Sequence, residues 1–167
     1  MDEVTLDLAR AVLAAGRRAG LKVATAESCT GGLVAAALTA IAGSSDVVER
    51  GFVTYSNAAK TEMLGVPAAL IAAEGAVSDA VAAAMAVGTL ARSAADAGVA
   101  VTGIAGPGGG SAAKPVGLVC FGTCRRGGAP VAVHQVFAGD RAAVRAAATE
   151  RALRLLLDVI EKEGSAT

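Results

Sequence analysis

Aromatic side chains and net charge are both scarce in this 167-residue sequence. It has no tryptophan, one tyrosine and three phenylalanines, so it lacks the platforms on which nucleic-acid bases stack. Its 15 lysines and arginines are balanced by 15 aspartates and glutamates, which leaves no excess positive charge for a polyanion. We therefore expect no nucleic-acid partner.

Histidine and cysteine are rare as well. His134 alternates with apolar residues, which is typical of the polar face of a strand. Three cysteines, an odd number without a secretion signal, indicate reduced thiols. Cys120 and Cys124 occur in one predicted strand and are expected on the same side of a sheet. With one histidine and no second cysteine pair, we expect no metal site.

Long apolar runs are also missing. Stretches such as residues 33–42 are shorter than the ~20 residues that a membrane-spanning helix needs, so we expect no membrane partner. The first residues, Met1-Asp2-Glu3, lack the apolar segment of a signal peptide, and a cytoplasmic location is expected. The length fits one domain covering residues 1–167, with residues 164–167 as a frayed tail.

Helix and strand patterns alternate along the first two thirds of the chain. The predicted helices cover residues 6–19, 30–42, 57–64, 78–95 and 139–161. The predicted strands cover residues 22–26, 48–54, 99–102, 116–123 and 131–138, the last two joined as a hairpin. Early helix–strand alternation with a late hairpin predicts an α/β protein, a three-layer α/β/α sandwich with a mixed sheet.

Three loops follow the ends of predicted strands and contain residues that can carry chemistry. They span residues 27–32, 55–60 and 103–111. In open α/β sheets, ligands bind in the crevice beyond the carboxyl ends of the strands. We therefore expect all three loops to share one ligand site.

Ser28 and Lys60 are the candidate nucleophile and base. A serine needs a base, and a lysine at a helix start inside a crevice has a lowered pKa, because the helix dipole and burial both disfavour its charge. Tyr55 can relay or orient the proton. Glu27 can orient this pair or instead bind Arg50 or Lys22, and the sequence leaves both readings open.

Two further features belong to the same loops. A thiolate at Cys29 is an alternative nucleophile. The helix predicted to begin near Thr30-Gly31-Gly32 has free backbone N–H groups, so the turn 29–32 is expected to bind a phosphate or to stabilise an oxyanion. The glycine-rich loop 103–110 matches neither a Walker A loop nor a GxGxxG fingerprint, and it predicts a wall around a small ligand.

Six separated motifs resemble a known family, in the family's order. They are residues 25–32, the run Gly51-Phe52-Val53-Thr54-Tyr55-Ser56-Asn57 with Lys60, Gly75-Ala76-Val77-Ser78, Gly103-Ile104-Ala105-Gly106-Pro107, Lys114-Pro115-Val116-Gly117 and Gly139-Asp140-Arg141. This set resembles the CinA C-terminal domain family, whose stand-alone members hydrolyse the carboxamide of nicotinamide mononucleotide. The resemblance covers residues 6–157.

The resemblance implies an amidohydrolase that recycles pyridine nucleotides without a metal or organic cofactor. It implies a catalytic Ser28 and Lys60 with Tyr55, and a homodimer with nicotinamide mononucleotide as its substrate. The substrate-binding residues it implies are Thr30, Gly31, Gly32, Gly103, Gly106 and Arg141. Gly108 departs from the aspartate common in relatives, so no acidic role is expected there. The nucleotide-processing domain of full-length relatives is expected to be absent, and its activity with it.

Two other readings stay open. The same crevice can hold a pyridine nucleotide without turnover, as a binding module. The same serine–lysine pair can also serve an amidase that acts on another small amide.

Overall fold

Five strands form one mixed sheet in the computed structural model, which describes residues 1–162. The strands are β1 (Val23–Glu27), β2 (Val48–Val53), β3 (Ala97–Gly103), β4 (Leu118–Arg125) and β5 (Val131–Val136). Their order across the sheet is β2-β1-β3-β4-β5. β1 pairs in parallel with β2 and β3, whereas β4 is antiparallel to both β3 and β5. The predicted mixed sheet is therefore confirmed.

Helices cover both faces of this sheet. They are α1 (Glu3–Ala19), α2 (Leu33–Thr39), α3 (Asn57–Leu64), α4 (Ala68–Glu74), α5 (Asp79–Ala91) and α6 (Arg141–Glu161), with a short 3-10 turn at Ser44–Asp46. None of them, among residues 1–162, combines the length and the hydropathy that crossing a bilayer requires.

Two apolar cores divide the molecule into three layers. On one face, α1, α2 and α6 bury residues such as Leu13, Leu38 and Leu153 together with Phe121 of the sheet. On the other face, α5 is covered by α3 and α4, and Met85 is completely buried. β1 and β3 are buried on both sides, as expected for parallel strands between helices. The predicted α/β/α arrangement is confirmed.

Local sequence signals located several element boundaries well. Ser56 caps α3 by accepting a hydrogen bond from the N–H of Ala59, and Gly65 ends the helix in the left-handed region, at the predicted bounds. Cys120 and Cys124 lie on the same face of β4, because they are four positions apart and side chains alternate along a strand. The exposed His134 contacts the carboxylate of Asp79.

Residues 164–167, predicted as a tail, lie outside the described residues.

The helix predictions also contain errors. Helix α1 begins at Glu3, three residues before the predicted start. Helix α4 was not predicted, because Pro67 signals a stop after α3 but here precedes the first helical residue. Helix α2 covers Leu33–Thr39 rather than residues 30–42. It begins late because residues 28–32 form turns. Helix α5 ends at Ala91 rather than near residue 95.

The close contact between β4 and α5 gives a test of this packing. A Cβ added at Gly122 would collide with the backbone carbonyl oxygen of Ala82 in α5. We expect Gly122→Ala to lower the free energy of unfolding by about 3 kcal/mol, the upper range for overpacking, in urea titrations. Gly108→Ala is the control, because a Cβ there meets nothing within 4 Å. Equal stability of the two variants would contradict the packing.

Candidate active site

A cleft of about 250 Å³ opens at the carboxyl ends of the three parallel strands. All three predicted loops reach it, as expected for an open α/β sheet. The loops contribute Ser28 and Cys29 after β1, Tyr55, Asn57 and Lys60 after β2, and Thr102, Gly103 and Ala105 at the end of β3. Ala76, Val77 and Arg141 complete the lining.

Ser28 is the first residue after β1 and is held by its backbone. Its N–H donates to the carbonyl oxygen of Val101 on the neighbouring strand β3, at 2.9 Å. The residue is only 8% exposed, and its hydroxyl lies 3.4 Å from the carbonyl oxygen of Tyr55. The strand pairing therefore fixes where the hydroxyl meets the cleft.

Lys60 reaches the same hydroxyl from the first turn of α3. Its Nζ lies 3.1 Å from Ser28 Oγ and 3.0 Å from the carbonyl oxygen of Thr54. Lys60 is 1% exposed and is among the largest fully buried side chains of the described residues. No carboxylate among those residues lies within ion-pair distance of its amine.

Burial sets the protonation of this amine. It lowers the pKa of Lys60 below the ordinary value of 10.5, because a charged ammonium loses its hydration, and the neighbouring Cys29 opposes this by raising the pKa. A neutral amine can donate one N–H to the Thr54 carbonyl and keep its lone pair for the Ser28 hydroxyl. The arrangement is therefore suited to general-base chemistry.

Tyr55 does not approach this pair through its side chain. The residue is 60% exposed, and its hydroxyl accepts a hydrogen bond of 3.0 Å from Arg141. Its backbone carbonyl, rather than its phenol, is the group near Ser28. The predicted proton relay through the phenol has no direct hydrogen bond to Ser28 or Lys60 among residues 1–162.

Glu27 fulfils neither of its predicted roles. Its carboxylate accepts the backbone N–H groups of Gly32, Val34 and Ala35, at 3.1, 3.0 and 2.9 Å. The residue is 1% exposed, so this buried charge is held by the start of α2. It contacts neither Arg50 nor Lys22.

This carboxylate corrects the expectation that the start of α2 is free to bind an anion. The Gly32 N–H is taken by Glu27, and the Gly31 N–H donates to the carbonyl oxygen of Ser28 at 3.0 Å. Thr30 is completely buried. None of Thr30, Gly31 and Gly32 lines the cleft.

Arg141 and Gly103 line the cleft, as the motifs led us to expect, whereas Gly106 lines neither this cleft nor the adjoining one. Arg141 donates to the carbonyl oxygen of Gly106 at 3.0 Å and stands between the cleft and an adjoining one of about 510 Å³. The adjoining cleft is lined by Ala105, Pro107, Val116, Gly139, Asp140, Arg141, Ala142 and Arg145. Gly103 lies against the Cys29 thiol, where a Cβ would be 3.0 Å from Sγ.

Arg145 was missed as a site residue. Its guanidinium donates hydrogen bonds to the carbonyl oxygens of Cys29 and Thr30, at 3.0 and 3.1 Å, and so stabilises the turn that follows Ser28. The available signal was its position one helical turn after Arg141, which places both side chains on one face of α6. Asn57, Ala76, Val77, Thr102 and Ala105 were also missed as lining residues.

Cys29 is a poor candidate for a thiolate. Burial raises the pKa of its thiol to about 11, although Arg145 and Lys60 lower it. Among residues 1–162 no three or more histidine, cysteine, aspartate or glutamate side chains group in a way that could hold a metal ion.

Together, the fold and the cleft define a three-layer α/β protein with a buried serine–lysine pair at the edge of its parallel strands. The CinA C-terminal domain model matches residues 5–160. The chain belongs to that family, as its motifs suggested.

Relatives and solved structures agree with this placement. The chain is 53% identical to the nicotinamide-nucleotide amidohydrolase PncC of Enterobacter agglomerans, over 86% of this chain and 88% of that protein. It is 56% identical to a CinA-like protein of Mycolicibacterium vanbaalenii, over 83% of this chain. The crystal structure of the competence/damage inducible protein CihA from Agrobacterium tumefaciens is 50% identical, with a TM-score of 0.93 over 95% of this chain and 97% of that chain.

The curated relatives differ in length. The match to the Mycolicibacterium vanbaalenii protein covers 33% of that protein, so the chain spans about a third of the length of such relatives.

The lowered pKa of Lys60 predicts how stability depends on pH. Between that pKa and 10.5 the unfolded chain binds a proton that the folded chain does not, so the free energy of unfolding rises with pH in this window. Lys60→Met lacks this rise, and the stability of the native protein minus that of the variant should therefore grow as the pH is raised toward 10.5 in urea titrations. Lys162→Met, at an exposed lysine, should keep the native pH dependence. A difference that shrinks with pH would contradict the assignment.

Proposed function

We propose that this protein is an amidohydrolase that converts nicotinamide mononucleotide to nicotinate mononucleotide and ammonia. The observation that carries the proposal is the 3.1 Å approach of the buried Lys60 amine to the Ser28 hydroxyl inside the cleft. The substrate comes from the similar Enterobacter agglomerans protein, whose name is nicotinamide-nucleotide amidohydrolase. The serine–lysine chemistry comes from the geometry.

In the first half-reaction, the neutral amine of Lys60 takes the proton of Ser28 as Oγ attacks the carboxamide carbon. The carbonyl oxygen becomes an oxyanion, and the tetrahedral intermediate keeps the amide nitrogen. The Lys60 ammonium then gives its proton to that nitrogen, ammonia leaves, and an ester to Ser28 remains. Lys60 does both transfers, because the Tyr55 phenol is engaged by Arg141 rather than by the pair.

In the second half-reaction, Lys60 takes a proton from water, and the hydroxide attacks the ester carbon. The bond to Ser28 Oγ breaks, and the proton on Lys60 returns to the serine. The product carboxylic acid loses its proton to solvent, and the starting state is restored. The same base therefore serves both steps without a cofactor.

The mononucleotide's phosphate needs a cation, and the start of α2 is unavailable because Glu27 occupies it. Arg141 lies between the two adjoining clefts and is exposed. We assign it to the phosphate, with the carboxamide at Ser28. Gly103 lines the cleft, and the carbonyl oxygen of Gly106 holds the Arg141 guanidinium.

The family resemblance supports further proposals. They are a homodimer, a cytoplasmic location, a role in pyridine nucleotide recycling and folding of residues 1–167 as one domain.

Substitution of the pair tests the chemistry. Ser28→Ala should remove ammonia release from nicotinamide mononucleotide, and Lys60→Met should reduce kcat by about 10²–10⁴-fold, the usual contribution of a general base. Ammonia is followed by a coupled dehydrogenase assay, and circular dichroism checks the fold. Ser45→Ala and Lys162→Met are matched controls at exposed positions and should keep native rates. Native turnover in Ser28→Ala would refute the serine mechanism.

Comparison of substrates tests the phosphate assignment. Arg141→Met should lower kcat/KM for the mononucleotide about tenfold or more, because a hydrogen bond to a charged group contributes ~1.5–3 kcal/mol. The same variant should leave the rate on the corresponding nucleoside, which lacks phosphate, nearly unchanged. Arg154→Met, at an exposed arginine farther along α6, is the control. Equal losses on both substrates would count against a phosphate contact.

A further inference from the structure

Side chains that end in a carboxamide are almost absent from this protein. Asn57 is its one asparagine and Gln135 its one glutamine. Gln135 lies on β5 and does not line the active-site cleft, whereas Asn57 does. The single asparagine therefore lies where the proposed substrate presents a carboxamide of its own.

The position of Asn57 on α3 places it beside the base. It is the first residue of this helix, and Lys60 follows three positions later. Residues three apart on a helix share one face, and both side chains line the cleft. Asn57 is exposed and Lys60 is buried, so the two follow one another from the rim of the cleft toward its floor. The cap of α3 is the hydroxyl of Ser56, so the helix does not need the Asn57 side chain for this purpose.

Hydrogen bonds within the protein engage the other cleft-lining side chains that carry oxygen or nitrogen. These side chains are Ser28, Tyr55, Lys60, Thr102 and Arg141. The carboxamide of Asn57 makes no hydrogen bond to any group among residues 1–162. It is therefore the polar group of the cleft that is left for a ligand.

The cleft offers a substrate several donors but few acceptors. No aspartate or glutamate among residues 1–162 lines it, and the Arg141 guanidinium can only donate. A primary carboxamide brings two N–H groups, and an N–H that loses water without gaining an acceptor costs free energy. The amide oxygen of Asn57 can accept such a hydrogen bond. A carboxamide bound at Ser28 therefore has a side-chain acceptor at Asn57.

We infer that Asn57 binds the leaving nitrogen of the substrate carboxamide, with its Oδ1 accepting one of the two N–H groups. This rests on the proposed amidohydrolase function and adds to it a residue that selects amides. The contact turns the nitrogen toward α3, and hence toward the Lys60 amine that gives it a proton. An ester has no N–H for Oδ1, so Asn57 favours a primary amide over an ester of the same acid.

The first experiment measures binding without turnover. In a Ser28→Ala background, calorimetry compares nicotinamide mononucleotide with the methyl ester of nicotinate mononucleotide, which has the same charge but no N–H. Adding Asn57→Leu should weaken binding of the amide by about two- to tenfold, the range for a neutral hydrogen bond, and binding of the ester much less. Ala58→Leu, at the next exposed position of α3, is the control and should change neither. Equal weakening of both ligands, or none, overturns the inference.

The second experiment separates an acceptor from a donor at this position. Asn57→Asp keeps an oxygen that accepts and loses the N–H groups, whereas Asn57→Leu loses both. At a pH where kcat for the mononucleotide has reached its plateau, Asn57→Asp should therefore retain more of the native kcat than Asn57→Leu. The rise of kcat with pH should also move to higher pH in Asn57→Asp, because a carboxylate one turn from Lys60 favours the ammonium. Equal losses in the two variants would show that the side chain does not act as an acceptor.

The outcomes separate this inference from the proposed function. If the native protein hydrolyses the mononucleotide and Asn57→Leu weakens amide and ester alike, the function stands and the role of Asn57 fails. If the native protein instead hydrolyses another primary amide, the substrate assignment fails, and the same variants measured on that amide and its methyl ester decide the role of Asn57. If it hydrolyses no amide, both fail.

Discussion

A buried amine held against a buried hydroxyl is the contact around which this molecule is organised. An isolated ammonium in a protein interior costs several kcal/mol, and Lys60 has no acidic partner in the described part of the chain. Burial lowers the pKa of this amine and so favours its neutral form, and the amine lies between the Thr54 carbonyl and Ser28 Oγ. The fold must therefore bring the ends of β1 and β2 close together, and the parallel pairing of these strands does this.

The buried carboxylate of Glu27 fixes the turn that follows Ser28. Glu27 satisfies three N–H groups at the start of α2, which removes the most obvious anion site from the cleft. In the proposed reaction, the negative charge of the mononucleotide must then be met by side chains, and α6 provides Arg141 and Arg145 one turn apart. These two arginines have different contacts, since Arg141 lies between the two clefts, whereas Arg145 lines only the adjoining cleft and binds the turn after Ser28.

Local signals predicted those parts of the site that depend on short stretches of chain. Ser56 and Gly65 fixed the ends of α3, and the position of Lys60 in its first turn followed from that. The sequence did not decide the partners of Glu27. Its carboxylate accepts hydrogen bonds from backbone N–H groups, and the directions of these groups depend on the turn that precedes α2. The hydrogen bond between Tyr55 and Arg141 joins residues that are 86 positions apart. The hydrogen bond between Arg145 and Cys29 joins residues that are 116 positions apart. No pattern within a short window predicts such pairs, although the motif order indicated the family and hence the fold.

The hold of α6 on the first loop has a consequence for how the protein is made. Ribosomal synthesis releases the amino end first, so the serine and the lysine emerge long before the arginine that clamps the turn. A nascent chain that stops short of its last helix carries both reactive side chains but not the contact that shapes their surroundings. The turn after Ser28 therefore gains these contacts only when the final helix docks, a late event set by the long loop that this docking closes.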